Sequence, residues 1–256
     1  MTRFVSPMIA AWLCCAVLGL QTARAADLGE LNDLVARTQF DYYTADARAL
    51  ALDVQAIAKF SVDDSRQRTL QYHLAYGQWK LAEILRQKDK SGSRHAAGDC
   101  SDATDKGLDA VPKRANMIRP DVMHAELYAI QAGCAAVHEE FYRAGKAIDS
   151  ARALQPTNPR VLLVDATIAI ARAKSVKERS DAEKVIVAAV AAFDAQPPQP
   201  ANVPDWGHAE ALARLGALRL QQGNRVAARN SIERALVLAS DYVWARELLG
   251  KVTSGR

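Results

Sequence analysis

The dipeptide Leu215-Gly216 returns as Leu249-Gly250, 34 residues further along, and this recurrence constrains the chain more than any other feature. A fixed period of that size is what stacked helical hairpins leave in a sequence, because each hairpin repeats the same buried positions. The first copy lies in the stretch Ala209 to Ser240, which reads as two amphipathic helices. In the first helix, Leu212, Leu215, Leu218 and Leu220 surround Gly216, whose missing side chain lets a neighbouring backbone come close. Gly223 then breaks the helix. In the second, Ala228, Ile232, Ala235 and Leu236 fall at spacings of three and four, so one face is buried while the arginines around it stay in water.

This pattern resembles a tetratricopeptide repeat, a 34-residue helix-turn-helix unit. Leu212, Leu215-Gly216, Ala228, Ile232 and Ala235 fit it, whereas Arg219 and Ser240 stand where the family usually has tyrosine and proline. A second copy runs from Ala125 to Asn158, with Ala132 in the small slot, Ala144, Ile148 and Ala151 on the second helix, and Pro156 at the close. The resemblance implies an all-α fold, a right-handed superhelical solenoid of antiparallel helix pairs, since a single hairpin cannot shield its apolar face without a neighbour. Aromatic residues make up only 6% of the chain while half of it is hydrophobic. That balance suits helices packed through small side chains and argues against a sandwich of strands.

Residues 26–120 read as degenerate N-terminal helical repeats and 121–256 as tetratricopeptide-like repeats, with Tyr242 to Val252 as a capping helix. A first helical pair is expected over 27–60, with a break near Tyr43-Thr44. A long amphipathic helix from Ser65 to Arg86 carries Tyr72, Tyr76 and Trp79. The polar run Gln87 to Arg94 reads as an exposed loop before a helix from Ser101 to Val111. Further helices are expected from Pro159 to Ala173 and, opened by the capping box Ser180-x-x-Glu183, through Phe193, with Lys174 to Arg179 as a charged link. Gln196 to Pro204 holds four of the nine prolines and reads as an irregular loop.

The first 25 residues read as an address. Arg3 is followed by a 13-residue apolar run from Met8 to Leu20 and by Ala23-Arg24-Ala25, an A-x-A cleavage site with the cut expected after Ala25. The run is shorter than the ~20 residues that span a bilayer, so no stable membrane span is expected after cleavage. The large Leu13 before Cys14 argues against a lipidated cysteine. Losing Arg3 and Arg24 takes the formal charge from +4 to +2, and with no long basic block the chain gives no support for nucleic-acid binding. The expected destination is periplasmic or secreted, where thiols oxidise. If Cys100 and Cys134 flank a hairpin that turns near Met117, they face one another and can form a disulfide. Two separate buried thiols, or a redox or metal role, are the alternatives.

Nothing asks for an enzyme, a metal or a cofactor. His73, His95, His124, His138 and His208 show no ligand spacing, and the zinc-protease start His138-Glu139-Glu140 meets Tyr142 where a second histidine would stand. Gly145-Lys146 and Gly250-Lys251 lack the residues that complete a phosphate loop. Asp165, set among Leu162, Leu163, Val164 and Ala166, reads as an acid hydrogen-bonded within the packing or opening onto the concave face. Phe40, Tyr42, Tyr43, Tyr72 and Tyr76 read first as core, with a binding surface as the second reading.

Tetratricopeptide proteins bind other proteins in the groove lined by the first helices of successive repeats. Carried over residue by residue, that groove would present Glu210, Ala213, Ala217, Leu220 and Gln221, with Trp244 and Glu247 from the next unit. Ala213 and Ala217 stand where the family's carboxylate clamp uses lysine and asparagine, so an apolar peptide or helix suits this groove better than an acidic C-terminal tail. The resemblance thus implies an exported scaffold or adaptor for an unidentified envelope protein or peptide. The alternative is a small-ligand protein with a pocket near Trp79 or Asp165.

Overall fold

The computed structural model describes residues 29–110, 121–197 and 205–254. The expected signal peptide with its cut site, the expected turn near Met117 and residues 198–204 of the proline-rich loop lie outside the described residues. Among the described residues there is no strand. The helices are α1 (29–43), α2 (Ala47–Ala58), α3 (Gln67–Leu85, entered through a 3-10 turn Asp64–Arg66), α4 (Lys90–Asp109), α5 (Val122–Val137), α6 (Phe141–Leu154), α7 (Pro159–Arg172), α8 (Val176–Asp194), α9 (His208–Gln221), α10 (Arg225–Leu238) and α11 (Val243–Thr253). The most extensive contacts lie within the pairs α3/α4, α5/α6, α7/α8 and α9/α10, and α11 closes the stack against α10 and α9. The fold is all-α, a chain of helical hairpins, as the repeat pattern implies.

The local chemistry of the turns explains where helices begin. Gly223 takes φ +81°, a left-handed conformation that glycine adopts without cost, and Asn224 then caps α10 by accepting from the Ala227 amide. Asn158 accepts from the Arg160 and Val161 amides, and Pro159 fills the first position of α7, where no amide hydrogen is needed. Two expected boundaries move. The capping box of α8 is Ser175 with Glu178, an earlier Ser-x-x-Glu, so Ser180 lies inside the helix and the charged link contracts. Asp89 caps α4 through the Gly92 amide, which places Ser91-Gly92-Ser93 in its first turn, not in a loop. That helix buries only small groups, Ser93, Ala96, Ala97, Cys100, Ala103, Thr104 and Gly107, a stripe that carries little hydrophobic signal.

Small residues also set the spacing between helices. A Cβ on Gly216 would stand 2.5 Å from Cγ1 of Ile232 and 3.2 Å from the Ala228 carbonyl oxygen, so α9 and α10 meet at that glycine. Gly250, its counterpart one period later, faces open space. The sulfur atoms of Cys100 on α4 and Cys134 on α5 come into bonding contact, with the Cα atoms 6.2 Å apart, the disulfide the sequence led us to expect.

Each odd-numbered helix from α3 onward touches the next odd-numbered one, whereas even-numbered helices pack mainly on their hairpin partners and the helices beside them. The odd-numbered helices therefore line the inner side of a curved stack. The curve brings the first helix back to the last: the rings of Tyr42 and Tyr43 at the end of α1 lie 6.1 and 4.7 Å from that of Tyr242, which precedes α11. No described helix is long and apolar enough to cross a membrane.

Candidate binding cavity on the inner face

Helix α3 carries Tyr72, Tyr76, Trp79, Lys80 and Glu83 at spacings that place them on one side, and this side fills the interior of the curve. Lys80, fully buried, points its ammonium at the Glu210 carboxylate of α9 (2.5 Å) and the Glu83 carboxylate (3.3 Å), with the Trp79 ring 3.5 Å from Nζ. Taking such charges out of water is costly, and close pairing together with the facing ring offsets that cost. Glu83 also accepts from Arg214 (2.9 Å) and from the Tyr42 hydroxyl (3.0 Å). Burial alone would raise the Glu83 carboxyl, yet Lys80, Arg214 and the Tyr42 hydroxyl hold it below its usual value. Burial pushes the Tyr42 and Tyr242 hydroxyls up, so both stay neutral.

A second layer ties α3, α5 and α7 to the segment before α9. The Tyr72 hydroxyl donates to Glu126 (2.5 Å) and accepts from the Trp206 indole (2.8 Å). Asn158 and Arg160 donate to the same Glu126 carboxylate, and Arg160 reaches on to Asp205 and the Trp206 carbonyl. These polar groups join the helices to one another.

Beside this filled centre lies an open cavity of about 540 Å³. Trp79, Ile84, Gly133, Ala136, Val137, Ile170 and Ala171 form its apolar walls, from α3, α5 and α7. Tyr42, Tyr43, Tyr242, Arg214 and Trp244 complete its lining. Gly133 is required here, since a Cβ would meet the Trp79 indole at 2.5 Å. Arg86, Lys88 and Glu247 stand at the exposed rim with no ion pair among the described residues. A smaller hollow of about 260 Å³ opens between α4, α5 and α6, with Arg143, Lys146 and Tyr128 in its lining.

No family model matches the chain, and no curated protein matches it in sequence. Among solved structures it is similar to one described as "Assembly Chaperone of RpL4 (Acl4) (Residues 1-338)", at 14% identity, covering 98% of this chain and 96% of that one, with a TM-score of 0.47. At that score the likeness carries no functional weight, and the cavity is read from its own geometry.

The structure places Trp244 and Glu247 in the cavity, with Arg214 beside them from α9. Glu210 and Ala213 are fully buried and so cannot present themselves to a partner, and Glu210 is taken by Lys80 of α3. Ala217 and Leu220 are partly buried against the core, and Gln221 is exposed at the end of α9, outside the cavity. Asp165 accepts from Arg152 at 3.0 Å and lies outside it as well. The tyrosine readings merge, for Tyr42 and Tyr43 are core residues whose edges reach the cavity. The sequence does not mark Val137, Ile170 or Ala171: the positions 34 residues apart hold unlike residues, Ala136 against Ile170 and Val137 against Ala171.

Proposed function

We propose that the protein is an exported scaffold of the tetratricopeptide type, which holds a segment of an envelope protein in the cavity on its inner face. The observation that carries this reading is the cavity itself, about 540 Å³, apolar along three successive inner helices and open on one side. Its size falls in the range of binding sites, roughly 300–1,000 Å³. An opening along one side suits side chains projecting from a longer chain, and a row of inner helices offers a preformed surface for it. Catalysis is not proposed, because the ionisable groups nearest the cavity, Lys80, Glu83, Glu210 and Arg214, are engaged in holding α3 to α9. Export and a periplasmic or secreted location rest on the A-x-A site at Ala23 to Ala25.

Photo-crosslinking of the mature chain in an envelope fraction tests the reading. One defined partner is expected, with capture reduced about tenfold by Ala171→Trp together with Trp244→Ala, changes that fill the cavity and remove one wall. Undiminished capture by that variant, with its helical circular dichroism intact, would mean that the partner binds elsewhere.

The predominantly apolar wall also favours a second reading, a small amphiphilic ligand. Native mass spectrometry of protein purified from the envelope separates the two. A bound mass of a few hundred daltons, lost in the Ala171→Trp variant, supports the small ligand.

A further inference from the structure

Resting on the small-ligand reading of the cavity, we infer that its ligand is a single-chain amphiphile with an anionic head group such as a carboxylate. The lining divides by chemistry. Helix α5 contributes Gly133, Ala136 and Val137, and α7 contributes Thr167, Ile170 and Ala171, in each case one face of the helix with no ionisable group. Gly133 brings Trp79 of α3 against this apolar surface. One turn further along α3, Glu83 bonds Arg214 of α9 at 2.9 Å, and the Arg214 guanidinium lies 5.7 Å from the Trp244 ring of α11. The other charged lining residues stand close to these in the chain, Arg86 and Lys88 after Glu83, and Glu247 after Trp244. The cavity therefore has an apolar pole and a charged one, the division that an amphiphile matches.

The sign of the head group follows from which charges already have partners. Lys80 and Arg214 pair with Glu83 and Glu210, two cations with two carboxylates. That leaves two cations in the lining, Arg86 and Lys88, and one carboxylate, Glu247. Asp89, the acid next in sequence, accepts from the Gly92 amide as the cap of α4 and is not part of the lining. Arg214 also keeps a buried Nε with no acceptor among the described residues. The charged pole is thus short of negative charge, which an anionic head supplies. A cationic head finds no comparable place. Of the aromatic rings in the lining, Tyr42 and Trp79 already have the Lys80 ammonium at 4.7 and 3.5 Å, and Trp244 has Arg214. The remaining two, Tyr43 and Tyr242, pack on each other at 4.7 Å.

Isothermal titration calorimetry of the mature chain with decanoate, decyltrimethylammonium and decanol, each kept below its micelle or solubility limit, tests this. We expect decanoate to bind about tenfold tighter than decyltrimethylammonium, with decanol between them, and added salt to narrow the difference. In a variant with Arg86→Glu and Lys88→Glu, exposed positions whose change leaves the core untouched, the order of the two ions should reverse. Ala171→Trp, which fills the apolar pole, should abolish binding of all three while helical circular dichroism stays intact. Equal affinity for the three ligands, a preference for the cation, or an order unchanged in the charge variant overturns the anionic head and leaves the small-ligand reading standing. Binding that survives Ala171→Trp puts the ligand outside this cavity and overturns the inference. Binding of none of the three overturns the small-ligand reading as well and leaves the peptide reading alone.

Discussion

Lys80 on α3 and Glu210 on α9 approach to 2.5 Å with both side chains essentially out of water, although 130 residues separate them in the chain. Their pairing joins the second hairpin to the fifth, and it is the reason the interior of the curve is filled where an open groove was expected. A buried pair of this kind need not outweigh well-packed apolar residues, but removing one partner strands the other charge. Lys80→Met should therefore cost about 3–5 kcal/mol, while Lys80→Met with Glu210→Leu should recover most of that loss. Urea unfolding followed by circular dichroism measures both. Equal destabilisation in the single and double variants would assign the loss to packing instead of charge.

Two glycines give changes of opposite sign. At Gly216 an added methyl runs into Ile232 and a backbone oxygen, so Gly216→Ala should overpack the α9–α10 joint and lower stability by about 1–3 kcal/mol. At Gly145, inside α6, nothing lies within 4 Å. There Gly145→Ala gains helix propensity and should stabilise by about 0.5–1 kcal/mol. Thermal melts of the two variants should move in opposite directions; a Gly216→Ala melt at or above that of the parent would show that the two helices part without penalty.

How much of this could be read beforehand depends on how local the cause is. The α9–α10 hairpin was legible because Leu215-Gly216 and Ala228-x3-Ile232 describe one close contact between neighbours. The start of α8 was misplaced because two Ser-x-x-Glu pairs lie five residues apart and only hydrogen-bond geometry selects Ser175. The cavity is half legible: the sequence marks Trp79, Trp244 and Glu247, but Ile170 and Ala171 stand one period from Ala136 and Val137, unlike residues that show no recurrence. Burial of Glu210 was not legible. The turn of the whole stack is a sum of small rotations between hairpins, and no window of sequence records that α3 will reach α9.

The Cys100–Cys134 bridge closes a sequence separation of 34 residues. By the chain-entropy account a loop of that size adds about 4 kcal/mol, the upper end of what is commonly realised. The native mature chain should resist alkylation, take up two labels after reduction, and melt several degrees lower in reductant. Mass spectrometry reads the first two and circular dichroism the third. Two thiols labelled in untreated protein would remove the bridge from the account of stability.

The pH dependence of folding offers a last test, at His73 on α3. Burial first, and then the nearby Arg160 guanidinium, lowers its imidazole from 6.5 to about 4. Above pH 6.5 the ring is neutral in both folded and unfolded chains, and its linkage contribution is fully present. As the pH falls from 6.5 toward 4 the unfolded chain takes up a proton that the native ring refuses, so stability declines over that window by up to about 3 kcal/mol and levels off below it. Asp41 acts in the opposite sense: burial first, then Asp53 and Asp46, raise its carboxyl to about 6, and the native state gains as that group protonates below pH 6. Asp41 is present in both the parent and the His73→Leu chain, so its contribution cancels in the difference between them. Urea midpoints of the parent and of His73→Leu, measured from pH 7.5 to 4, should diverge in slope, the variant losing less stability on acidification. Parallel curves would mean that His73 accepts its proton in the folded state as readily as it does unfolded.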